Sequence, residues 1–133
     1  MDASTLLAEI MRRSDFIFAG WNVLMVAGVG LLAVIGLSPA LRADRRAAAV
    51  LGAAFLFFAL THLLGMMHVT KQWESLAEAL RHKLAAEPVT AEKLDFAVTA
   101  PHPSWIVPFH LAFDAFVLAG IWWLTRPKAA ALA

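Results

Sequence analysis

The sequence predicts an all-α integral membrane protein with three transmembrane helices and an amphipathic interfacial helix in its second loop. Two features of composition and one of pattern carry that expectation. Apolar residues make up 61% of the 133, well above the ~45–50% of ordinary globular domains, and mean hydropathy is +0.70. Charged residues fall to 16%. They are segregated outside three long apolar runs, whereas a soluble bundle would place charges on every helix.

The first run, residues 16–37, holds Asn22 as its one strongly polar member. A bilayer core of ~30 Å needs about 20 helical residues, and this run supplies them. It exceeds the apolar core of a signal peptide, so a retained helix is expected. Before it, residues 1–15 form an amphipathic segment with Leu6, Leu7, Ile10 and Met11 on one broad face. Ser38-Pro39 ends the run, and Arg42, Asp44, Arg45 and Arg46 mark a polar turn that cannot enter hydrocarbon cheaply.

The second span is expected over residues 47–69. The loop 70–104 follows, with Trp73, Leu76, Leu80 and Leu84 at helical spacing opposite Glu74, Glu78 and Arg81. That pattern predicts an amphipathic helix over about 71–84, lying in the interface plane or docked on a partner. Glu87-Pro88 stops it, and Thr90 could cap a further short turn. The third span is expected over residues 105–124, with Pro108 in its first turn, where a missing backbone donor is tolerated. A C-terminal tail, residues 125–133, closes the chain.

Several function classes drop out. A formal charge of +1 without a long basic run gives no nucleic-acid footprint. The absence of cysteine excludes disulfides, zinc–thiolate and iron–sulfur ligation and thiol catalysis. Too little chain lies outside the spans for an enzyme domain of its own. Arg42, Arg45 and Arg46 in one tight turn point to a cytoplasmic turn and C-terminus, with the N-terminus and the 70–104 loop outside. In a bacterium this would be the inner membrane. Trp21 and Trp105 fit an aromatic belt on the loop side, and Trp122 and Trp123 the opposite boundary.

The polar residues inside the runs carry the information, because their burial in lipid is costly. These are Asn22, Thr61, His62, His110 and Asp114. At the standard helical rise, His62 sits roughly 10 Å, Asn22 roughly 9 Å and His110 roughly 8 Å below the loop-side boundary. His110 and Asp114 share a face one turn apart, and Asp15 could extend the set to the surface. If the faces converge, Asn22, His62, His110 and Asp114 form one buried cluster.

Such a cluster could hold a metal ion, with two imidazoles and a carboxylate suited to copper, zinc or iron and Met66 favouring copper(I). It could carry b-type haem on His62 and His110, bind a quinone headgroup, or form a proton path. It could also simply hold the bundle together. His68, His82 and His102 read as interfacial or solvated. The leading expectation is a small non-catalytic subunit of a larger membrane complex that handles electrons or small substrates. Glycines and alanines on the first two helices offer close-approach surfaces for other membrane subunits or a second copy.

His68-Val-Thr-Lys-Gln-Trp-Glu-Ser-Leu-Ala resembles, over these residues, the end of a helix in the three-span anchor subunits of fumarate reductases. Chain length and span count agree with that likeness, which implies an anchor linked to quinone chemistry. His62, His110 and Asp114 have no counterpart in it.

Overall fold

The computed structural model describes residues 2–85 and 103–126. The element order is α1 (Ala3–Leu37), α2 (Pro39–Ala43), α3 (Arg45–Ala85), a 3-10 turn (Pro103–Trp105) and α4 (Ile106–Thr125). No strand occurs among the described residues. α1, α3 and α4 are each long and apolar enough to cross a membrane.

Asp2 starts α1 by accepting hydrogen bonds from the Thr5 backbone N–H at 2.8 Å and the Ser4 hydroxyl at 2.9 Å. Hydrogen bonds from Thr5, with a smaller one from Ser4, lower its pKa from 3.8 to about 2. A carboxylate depressed in this way supports the folded helix above about pH 4. The support is lost as pH falls through about 2. Amide exchange at Thr5 is therefore expected to accelerate across that window, and Asp2→Ala to remove the pH dependence. An unchanged profile in the alanine variant would show that the cap does not set it.

Ser38 and Asp44 shape the turn at the other end. Ser38 Oγ accepts from Leu41 N–H, with Pro39 in the first turn of α2. Asp44 Oδ1 accepts from the Arg46 and Ala47 N–H groups at 2.9 and 3.0 Å, capping α3. Arg45 Nε donates to the Thr125 carbonyl and ties the turn to the end of α4. Residues expected as an irregular turn thus include one short helix, because Ser38-Pro39 and Asp44 supply two consecutive start signals.

The expected interfacial helix is not a separate element. Residues 71–84 continue α3, which runs unbroken for 41 residues, about 60 Å at the standard rise. Likewise the amphipathic segment of residues 1–15 is the beginning of α1. Two physical reasons account for this. No glycine or proline interrupts α3 between Met66 and Ala85. In addition, the apolar face that would otherwise seek the interface finds Leu6 and Ile10 of α1. Those two residues form one buried cluster with Trp73, Ala77, Leu80 and Leu84.

Buried positions on α3 recur every three or four residues: Ala48, Gly52, Phe55, Ala59, Leu63, Met66, Thr70, Trp73, Ala77, Leu80 and Leu84. This is the seam of a seven-residue repeat, along which α1 packs antiparallel. A second apolar cluster joins Leu24 and Ile35 of α1 to Phe55 and Ala59 of α3 and Val117 and Ile121 of α4. Close approach there requires Gly28, since a Cβ would lie 2.7 Å from the Phe113 ring and 2.8 Å from Val117. The outward faces are as apolar as the core: Val26, Phe57 and Leu37 are 73%, 71% and 83% exposed. Surfaces of that kind belong in an apolar surrounding. The expected turn after Thr90 and most of the C-terminal tail lie outside the described residues.

Candidate polar site

Between the two apolar clusters, α3 and α4 bring three of the expected polar residues together. His62 Nδ1 lies 3.1 Å from His110 Nε2. His110 Nδ1 lies 2.8 Å from Asp114 Oδ2. The second contact is local, because residues four apart on a helix share a face. The first spans two helices and depends on how they pack. His110 is fully buried and Asp114 is 5% exposed, while His62 is half-buried. Asp114 Oδ1 is buried without a hydrogen-bond partner among the described residues.

α1 completes the site at Gly20, because His62 Nε2 lies 3.4 Å from where a Gly20 Cβ would stand. Met66 Sδ would be 2.6 Å from the same point, so thioether and imidazole lie side by side over this glycine. Trp21 forms a further wall. Its ring meets Phe109 edge-on at 5.2 Å and His110 at 5.8 Å. From the sequence alone, the glycines of the first helix are expected as close-approach surfaces and Trp21 as part of the aromatic belt. Their position against the histidines depends on helix rotation, which no single-helix pattern encodes.

Beyond Trp21 lies a largely apolar cleft of about 390 Å³, walled by Phe18, Met25, Trp73, Trp105 and Phe109. Its hydroxyls are already engaged. Ser14 Oγ donates to the Ile10 carbonyl and accepts from Trp73 Nε1–H, each at 3.1 Å. Thr70 Oγ1 donates to the Met66 carbonyl at 2.8 Å.

Two expected members stand apart. Asn22 is exposed on α1, has no hydrogen bond to the cluster, and lies on the opposite side of the helix from buried Leu24 and Gly28. Asp15 is exposed as well. Thr61 is exposed but bonds back to the Phe57 and Phe58 carbonyls. His68 pairs with Gln72 at an exposed position, His82 is exposed on α3, and His102 lies outside the described residues.

The geometry bears on the cofactor alternatives. Among the described residues, no group of three or more His, Cys, Asp or Glu side chains is arranged to hold a metal ion. Both ring nitrogens of His110 are engaged, one with Asp114 and one with His62. A metal on His62 and His110 would replace their mutual hydrogen bond, with Asp114 behind His110 and Met66 alongside. A haem fits less well, because the rings touch directly with centroids 5.4 Å apart and a porphyrin would have to part them.

Fold and site together define a small all-helical protein with three membrane-length apolar helices around a buried His–His–Asp cluster. No protein-family model matches the chain, and no match was found among curated proteins or solved structures.

Proposed function

We propose that the chain is an integral membrane protein, a small non-catalytic subunit of a larger membrane assembly. Its contribution to that assembly is a proton relay through His62, His110 and Asp114. The observation that carries this reading is the hydrogen-bonded line Asp114–His110–His62.

Counting its protons defines the chemistry. With a hydrogen on His62 Nε2, each of the two links needs one further hydrogen of its own. Four arrangements satisfy every link, and three of them avoid an imidazolate on His110. In the first, His110 Nε2 and Asp114 Oδ2 hold the two protons and all groups are neutral. In the second, both protons sit on His110, giving an imidazolium–carboxylate pair. In the third they sit on His62 Nδ1 and His110 Nδ1, placing the positive charge on His62. All three have zero net charge and differ only by shifts of a proton along an existing hydrogen bond. Charge can therefore move between Asp114 and His62 without any heavy atom leaving its partner. Imidazole suits this task because it has two nitrogens that exchange donor and acceptor roles.

Solid-state nuclear magnetic resonance of 15N-histidine protein in bilayers tests the relay. The expected result is a coupling across the His62–His110 hydrogen bond, with both rings responding together as pH changes. In Asp114→Asn, whose amide cannot exchange a proton at this position, the joint response is expected to disappear. Two histidines that titrate independently, unaffected by Asp114→Asn, would remove the relay reading. The subunit part is tested by mild solubilisation from native membranes, where a chain isolated without fixed partners or further copies would contradict it.

A further inference from the structure

We propose that the cleft between Arg42, Arg45 and Arg126 binds the phosphate of an anionic phospholipid, whose acyl chain lies in the adjoining groove between α3 and α4. The proposal rests on the membrane-spanning reading above and is independent of the proton relay.

Three elements bring the arginines together. Arg42 stands in the last turn of α2, Arg45 opens α3, and Arg126 directly follows α4. With Leu124 they line a cleft of about 460 Å³ at the turn end of the molecule. Arg45 Nε donates to the Thr125 carbonyl, and Arg126 lies over the Trp123 ring, 5.4 Å from its centroid. Neither contact neutralises a charge. Among the described residues, no carboxylate forms an ion pair with any of the three arginines, whereas Arg12 and Arg13 at the other end share Glu9. The neighbouring Asp44 directs Oδ1 to the backbone N–H groups of Arg46 and Ala47 instead. Like charges around one hollow repel, so an anion placed between them is stabilised. Phosphate suits arginine best, because the planar fork of N–H donors matches its oxygens.

The hollow continues beyond the arginines. A groove of about 470 Å³ shares Arg45 and Thr125 with the cleft and runs between α3 and α4 to Leu56 and Leu118. Its floor is low because α3 carries Ala49, Gly52 and Ala53 there, opposite Leu118 and Trp122 of α4. From Arg45 to Leu56 the groove extends about 16 Å at the standard helical rise, close to half of a ~30 Å hydrocarbon core. Arg45 is its one charged lining residue, and Ala49, Ala53 and Leu56 are exposed. Trp122 and Trp123 are also exposed within a turn of Arg126, at the level where tryptophan meets lipid headgroups.

This combination selects the occupant. A soluble anion would satisfy the arginines and leave the apolar groove unused. An uncharged lipid would fill the groove and leave three positive charges without a counter-ion. A phospholipid with net negative charge does both, and basic pockets at the ends of membrane helices recognise such headgroups.

Native mass spectrometry of the full chain in detergent, titrated with dioleoylphosphatidylglycerol or dioleoylphosphatidylcholine, tests the site. Phosphatidylglycerol is expected to bind more tightly than phosphatidylcholine, and excess inorganic phosphate should not displace it. An arginine at a membrane surface contributes about fivefold in affinity, so Arg42→Gln/Arg126→Gln should weaken phosphatidylglycerol about thirtyfold. Arg12→Gln/Arg13→Gln removes the same charge at the other end and should change nothing. Ala53→Phe blocks the groove from an exposed position and should also weaken the lipid. Equal losses from the two double variants would mean general charge attraction and overturn the proposal. Displacement by inorganic phosphate, or binding indifferent to Ala53→Phe, overturns it as well, because the acyl chain would then play no part. So does release of an acidic partner protein, with lipid retained, when the Arg42/Arg126 variant is isolated from native membranes. A chain extracted from membranes by alkaline carbonate would overturn the membrane reading, and this proposal with it. A retained chain without preference for phosphatidylglycerol overturns this proposal alone.

Discussion

His110→Leu is expected to destabilise the protein by about 3–5 kcal/mol, the usual cost of removing one partner from a buried charged or protonatable pair. His110 is fully buried and contacts Asp114 at 2.8 Å. Leucine would leave Asp114 with neither oxygen paired, since Oδ1 has no partner already. The loss should largely disappear in the double variant His110→Leu/Asp114→Leu, because apolar groups of similar size can replace a buried pair at little cost. His62→Leu should cost only about 1 kcal/mol, since His62 is half-buried at the end of the line. Reversible unfolding in detergent, carried out as a double-mutant cycle, measures the coupling. Additive His110 and Asp114 effects would mean that the two side chains do not act as a unit.

Trp73→Ala is the second large effect, and it should be confined to one end of the molecule. Trp73 is 6% exposed, packs with Leu6, Ile10 and Ala77, and donates through Nε1 to Ser14 Oγ. Truncating a buried tryptophan costs about 3–5 kcal/mol. The Leu6–Leu84 cluster is separate from the Leu24–Ile121 cluster, so the loss should appear as local opening. Hydrogen exchange is expected to rise a hundredfold or more in residues 5–14 and 71–84. Residues 24–35 and 50–60 should keep their protection. This result separates a helix packed on α1 from one lying in the membrane plane. In the latter case, Trp73→Ala would leave residues 5–14 unchanged.

Much of the fold was legible because it is local. The three apolar runs were readable from length and composition, since a span depends only on consecutive residues. The His110–Asp114 contact was readable from a spacing of four. The common level of His62 and His110 followed from counting residues from the loop-side ends of their apolar runs. Two other features were not readable. Residues 71–84 showed the amphipathic pattern expected of a helix at an interface, and that pattern cannot say whether lipid or Leu6 and Ile10 of α1 will cover it. Asn22 matched the histidines in depth but not in direction. Depth is set by position along one helix, whereas direction is set by how that helix rotates against its neighbours.

The sequence by itself determined the helical class, the three apolar segments and the small set of polar residues within them. Each of these follows from the periodicity of one helix and the cost of placing polar groups among apolar ones. Only the tertiary structure decided which polar groups meet. Rotation of α3 and α4 brings His62 and His110 to hydrogen-bond distance. The fit of Gly28 against Phe113 and Val117 turns Asn22 away from them. Packing between helices is a property of pairs of faces, and the choice among possible pairs is made by side-chain volumes far apart in the chain.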